Sequence, residues 1–413
     1  MLEGARDILE ERVEGAPPAW CERRGWTGFL LGLSEAELAR CEAEGLAAVA
    51  ASLPGVPDSL AALAAEVGEA TRLPELSGGR APREERWTGQ SAAQAAAITG
   101  ELREVSARKR PQLVELAAAA SRMAERAARI VDVGSGSGHF TTMAAELFGR
   151  EALGIERRTD RVAAAEARAG ERAARIEAAG GAARFLAVDA GREALHFEAG
   201  DLAVGLHACG ALGDRLVTAA AEAGCDVALV SCCLQKIEAP ARAPLSRAGA
   251  GLGLRRDILG LTNLTSQARG VEASIEATME ARQARFALLC LLRSRGLDVS
   301  PGEEMRGINR RRARSGLADI AARALALRGL APPSAEEIRL FEAEGRLRFA
   351  AVRRLSLPRN LLARPVEIAV ALDRAAALEE SGHHVRVGAL FERAVTPRNI
   401  ALLASRDATR LPG

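Results

Sequence analysis

Tyrosine is absent from these 413 residues, and nine phenylalanines and three tryptophans supply all the aromatic rings. Alanine, arginine and glycine are abundant instead. The bias is toward small residues, and an arginine count by itself identifies no class of function. No run of about eighteen apolar residues occurs, which excludes a membrane-spanning helix. The opening MLEGARDILEERVEG has neither a positive leader nor an apolar segment behind it, so a soluble protein of the cytoplasm is expected. Cysteine is sparse and odd in number. Seven scattered residues do not make the framework of a small secreted domain, and reduced thiols are expected.

A chain of this length exceeds one typical core and predicts two domains, or one domain with a large insertion. The net charge of +2 is unevenly spread: residues 1–100 carry sixteen acids against nine bases, a balance of −7. That asymmetry fits an acidic cap on a body tolerant of polyanions, or simply a solvated surface. Residues 1–105 read as a helical domain. Trp20, Trp26, Phe29 and Leu30 form its apolar cluster, and Ser34 with Glu37 makes a capping box opening a helix over 35–46. The stretch from Leu73 to Arg86, rich in Gly, Pro and charge, reads as a linker. The domain is either a packing cap or a substrate-recognition element.

The centre of the chain is Arg129 to Phe140, RIVDVGSGSGHF. Ile130, Val131 and Val133 fit a buried strand, and Phe140, Met143, Ala144 and Leu147 recur at helical spacing. Gly134, Gly136 and Gly138 lie between them, where a backbone must turn tightly and approach a ligand closely. A second strand, ALGIE, ends at Glu156, about twenty residues on, where a ribose diol wants an acceptor. A third, RFLAVD, ends at Asp189. The spacing GxGxG departs from the dinucleotide fingerprint, because position 139 is His139. Strands over 202–206 and 226–231 with a helix over 212–223 continue the alternation, and strands over 385–391 and 400–404 close it after a helix over 365–380. Strand and helix alternating in this way predict a parallel α/β sheet. Between them residues 241–350 read as a helical insertion with a helix over 267–292 and a basic patch, MRGINRRRARSG. From Arg293 to Arg328 nine arginines face four acids, a local +5.

These motifs resemble the class I S-adenosylmethionine (SAM)-dependent methyltransferases, whose first motif has the form DxGxGxG. The resemblance implies SAM as cofactor, with Asp132, Gly134, Gly136 and Gly138 forming the methionine-side loop, Glu156 the ribose contact and Asp189 the adenine contact. It implies a seven-stranded, mostly parallel Rossmann-like sheet with an N-terminal helical domain and a helical insertion before strand six. The expected division is 1–105, a core over 106–240, the insertion over 241–350, and the return of the core over 351–413. The segments GLHACGALGD, SCC, LDRAAALEESG and TPRNIALLA further resemble the family that includes methyltransferase-like protein 25 and the glutathione S-transferase C-terminal domain-containing protein. No DPPY or NPPY tetrapeptide follows strand four, which argues against an amino-methylating enzyme of that type.

Ligands in such sheets sit beyond the carboxyl ends of the strands. Strand four ends in His207-Ala208-Cys209 and strand five in Ser231-Cys232-Cys233, so His207, Cys209, Cys232 and Cys233 are the candidate catalytic residues. Three readings stand: small polarizable groups packing the pocket wall, a catalytic or orienting role with His207 as proton acceptor, or a zinc site of one His and three Cys. Paired CxxC spacing is absent, and adjacent cysteines point to opposite sides of a continuing strand, so no metal is expected unless the chain turns sharply there. The remaining histidines, His139, His196, His383 and His384, read as structural or exposed. The expected reaction is methyl transfer to RNA, with Arg306, Arg310, Arg311, Arg312 and Arg314 as phosphate contacts. The alternatives are a SAM-binding, RNA-associated factor without turnover, and a protein or small-molecule methyltransferase.

Overall fold

A computed structural model describes residues 1–76, 105–106, 109–264, 272–392 and 395–412. The chain forms two compact units, each made of separated segments: Met1–Ala70 with Ala268–Leu362, and Thr71–Gln267 with Ala363–Gly413. The 241–267 part of the expected insertion therefore belongs with the sheet.

The second unit is built on seven strands: β1 Arg129–Val133, β2 Glu151–Glu156, β3 Ala182–Ala187, β4 Asp201–Ala208, β5 Asp226–Ser231, β6 His384–Ala389 and β7 Ile400–Ser405. Their order is β3-β2-β1-β4-β5-β7-β6. The first five run parallel, and β7 joins β5 antiparallel and pairs with β6 as an antiparallel neighbour. The sheet is thus the expected mostly parallel α/β one. Its central strands are apolar on both faces because helices cover both. Ile130, Val204 and Val230 pack with Phe140 and Met143 on one side. Val131, Val133 and Leu229 pack with Leu216, Val217 and Leu378 on the other. At the β3 edge only Phe185 is buried. The other edge, β6, is partly covered by residues expected in the linker: Leu76 N–H donates to Ala389 O at 2.9 Å, and Ala389 N–H to Pro74 O at 2.8 Å. Residues 77–86 of that linker lie outside the described residues.

The first unit is helical among its described residues. Trp20 and Trp26 meet edge to face with centroids 6.2 Å apart, and Trp26 Nε1 donates to Ser59 Oγ at 2.9 Å. The Ser34–Glu37 capping box is present and opens Glu35–Glu44. A second box, Ser334 with Glu337, opens the long helix Ala335–Leu355. The helix expected from 267 is described as Glu272–Ser294.

The acidic N-terminal segment is matched inside this unit. Arg353 bridges Glu42 at 2.7 Å and Glu35 at 3.1 Å, Arg354 reaches Glu35 at 2.7 Å, and Arg293 meets Glu14 at 2.6 Å. Thirteen acids and five bases in residues 1–70 meet eleven acids and eighteen bases in residues 268–362, which leaves the unit at −1. The charge asymmetry seen along the sequence is therefore largely internal complementarity. No described helix is long and apolar enough to cross a membrane.

Candidate active site

The glycine turn leaves β1 at the carboxyl edge of the sheet. Gly134, Gly136 and Gly138 have φ of 82°, 60° and 73°, a left-handed backbone that side chains disfavour. The three do different work. A Cβ on Gly138 would stand 2.6 Å from Ala165 Cβ and 2.7 Å from the Phe185 ring, so this glycine lets the helix His139–Phe148 dock. A Cβ on Gly136 would meet only Arg161 Nη1, at 3.9 Å, which leaves open space beside the turn. Gly134 and Ser135 N–H donate to Ile155 O at 2.8 and 3.1 Å, tying the turn to β2.

Glu156 ends β2 and is 8% exposed. Its Oε2 accepts Gly136 N–H at 3.2 Å and its Oε1 accepts Arg158 N–H at 3.1 Å, with Arg161 at 3.8 Å. A carboxylate, a glycine N–H and open space thus meet at one point. Ser135 Oγ nearby is buried without a hydrogen-bond partner. Asp132 is 2% exposed and accepts from Thr141 Oγ1 at 2.8 Å. Burial pushes its carboxyl up to about 6, the Thr141 hydrogen bonds partly offset this, and the charge of Glu156 adds a smaller upward push. Asp189 lies two residues beyond β3, half-buried, and its Oδ1 accepts Gly191 N–H at 3.0 Å.

The helix that follows β4, Ala211–Ala223, adjoins this turn: a Cβ on Gly134 would lie 3.7 Å from its Leu212 Cδ2. The register shifts at His207, where Leu206 pairs with Val230 and Ala208 with Ser231. Such a bulge re-aims the strand end. Beyond it Cys209 and Cys232 stand with Cα atoms 5.1 Å apart and are joined as a disulfide. That corrects the expectation of seven reduced thiols, which a sequence separation of 23 gave no means to foresee. Strand β5 ends at Ser231, and the chain turns at once, with Lys236 N–H donating to Cys233 O at 3.0 Å. The Cys209, Cys232 and Cys233 sulfurs all lie within 4.8 Å of one another. The side chain of His207 lies outside the described atoms.

Residues 104–240 match the family described as a methyltransferase domain. Over those residues the chain carries a methyltransferase domain. No curated protein matches the chain at a significant level. Among solved structures it is similar to the O-methyltransferase of a trans-AT PKS multienzyme from Brevibacillus brevis, in complex with S-adenosyl-L-homocysteine. That match has 16% identity and a TM-score of 0.22, covering 35% of this chain and half the length of that one. It is also similar to E. coli YjhP, at 16% identity, covering 61% of this chain and 90% of that one, TM-score 0.23. A third is the plantazolicin methyltransferase BpumL, at 11% identity, 83% and 99%, TM-score 0.26.

Sequence reasoning missed the support under the methyltransferase strand ends. Arg374, 1% exposed on the helix Ala363–Glu380, donates through Nε to Asp214 at 2.8 Å, through Nη1 to Ser231 Oγ, and through Nη2 to Gly210 O at 2.9 Å. Arg242 joins Asp214 at 2.9 Å to Asp373 at 2.7 Å, and Asp373 accepts from the N–H groups of Leu245 and Ser246. Two arginines and two aspartates therefore pair in the interior and fix the backbone on each side of the Cys209–Cys232 link. Nothing in an Asp-Arg pair within a helix marks such a network. Of the remaining histidines, His383 is buried between Leu378 O and Cys225 O, while His196 and His384 are exposed.

A cavity of about 380 Å³, lined by Val217, Ala221, Leu245 and Ala377, lies along the C-terminal halves of two helices. Those halves face the amino ends of the parallel strands, so the cavity is not part of this site.

Proposed function

We propose that the domain transfers the methyl group of SAM to RNA, and that the chain belongs with the methyltransferase-like protein 25 family its strand-end and PRN segments resemble. SAM, when bound, supplies an electrophilic methyl group, so the protein's own residues need to bind, orient and take up a proton. Glu156 would accept from the ribose hydroxyls, and Asp189 would meet the adenine. Gly134 and Gly136 leave room for the methionine side, with Asp132 and Gly138 holding the turn in shape. His207 would take the acceptor's proton at a ring nitrogen, and Cys209, Cys232 and Cys233 would line the acceptor side.

The observation that carries the RNA reading is the basic patch. Asn309 caps a 3-10 turn, Arg310–Ser315, by accepting from Arg311 N–H at 3.0 Å. Met305, Ile308 and Ala313 anchor it inward, and Arg306, Arg310, Arg311, Arg312 and Arg314 are all exposed. None of the five is within ion-pair distance of a described acid, in a unit whose other arginines are extensively paired. Four unneutralised guanidiniums on one short turn, with Arg306 shortly before it, suit a run of phosphates.

Bulk RNA binding measured over a range of salt tests it. Affinity should fall steeply, and each arginine removed should reduce the slope of log K against log salt by about 0.7 for single strands. Reversal of Arg310, Arg311 and Arg312 to Glu with RNA binding intact would overturn the assignment.

A further inference from the structure

The turn after β5 removes the obstacle that strand alternation sets against a shared metal. Because β5 stops at Ser231, Cys232 and Cys233 are not on a continuing strand, and their sulfurs lie with that of Cys209 within 4.8 Å. A disulfide uses two of these three atoms. We propose that, once the Cys209–Cys232 disulfide is reduced, Cys209, Cys232 and Cys233 together bind one zinc ion.

Three arguments carry this. Zinc thiolate bonds of about 2.3 Å in a tetrahedral site place sulfurs about 3.8 Å apart, within easy adjustment of the observed cluster. The backbones bearing the sulfurs are held rigidly. Ala211 N–H donates to Lys236 O at 3.0 Å, a Cβ on Gly210 would lie 2.1 Å from that same carbonyl, and Arg374 grips both Gly210 O and Ser231 Oγ. Finally, Cys209 stands just before Gly210, the N-cap of the 13-residue helix Ala211–Ala223, whose N-terminal end favours a thiolate. Three sulfurs leave one position for a nitrogen or oxygen ligand. In the reaction a dithiol reductant takes the S–S bond into its own disulfide and leaves Cys209 and Cys232 as thiols. The three thiols then release their protons to solvent as they bind the ion.

The full-length protein, reduced, desalted under argon and titrated with zinc against a chromophoric chelator, should hold about one equivalent tightly. Cobalt(II) in its place should give thiolate-to-metal charge-transfer absorption. Cys233→Ser should lose the metal and Cys233→His, which restores a ligand, should keep it, with circular dichroism reporting that each is folded. Folded, reduced wild-type protein that retains no zinc, or Cys233→Ser that retains the full equivalent, would overturn the proposal. Metal content is read without any acceptor, so either result leaves the RNA reading to its own test.

Discussion

Glu156 holds the turn and the start of the next helix by accepting two backbone N–H groups, yet keeps an edge toward the open space beside Gly136. Glu156→Ala should therefore weaken SAM binding by about tenfold or more, the effect of losing charged hydrogen bonds of about 1.5–3 kcal/mol. Isothermal titration reads this directly, and an unchanged affinity in a folded variant would remove Glu156 from the cofactor site. Asp132 has a different character. Its folded pKa of about 6 lies above the ordinary 3.8, so folding takes up a proton between those values. The resulting penalty is absent below about pH 4 and complete above about pH 6, with an upper size of about 3 kcal/mol. Asp132→Asn should be more stable than wild type at pH 8, and the gap should close toward pH 4. Urea unfolding at the two values checks it, and a gap that does not change with pH would contradict it.

At the scale of elements, the strands were legible because each carries its own apolar run. The segment 226–231 is observed as read, and the others shift by one or two residues at an end. The helix Ala335–Leu355 was not read, although Ser334 and Glu337 are the same capping signal that was recognised at Ser34 and Glu37. The turn glycines were legible as a group but not in their division of labour, because only the packed structure sets Ala165 and Phe185 against Gly138. The cysteine cluster was legible as a convergence of two strand ends. Its disulfide and the turn at Cys233 depend on register and loop geometry that spacing does not encode. The Arg374 network is the extreme case, assembled from segments 28 to 164 residues apart. Removing one member of a buried pair leaves uncompensated charge, so Arg374→Met should cost about 3–5 kcal/mol. Chemical denaturation of the variant measures this. A loss below about 1 kcal/mol would mean that Asp214, Ser231 and the Gly210 carbonyl are satisfied without it.

At the scale of the molecule, two separated stretches make one nearly neutral helical unit, and the remaining stretches make the methyltransferase sheet. Within the helical unit, acids of residues 1–70 are drawn into pairs with arginines of the 268–362 segment, while the patch on 306–314 stays unneutralised. That contrast is why RNA is the acceptor class argued for. The most direct test is to incubate the protein with SAM labelled in its methyl group and total RNA, protein and metabolite fractions from cells. Label should enter the RNA fraction, and should be reduced with Glu156→Ala and by reversal of Arg310, Arg311 and Arg312. Label entering protein or metabolites while RNA stays unlabelled would contradict the account.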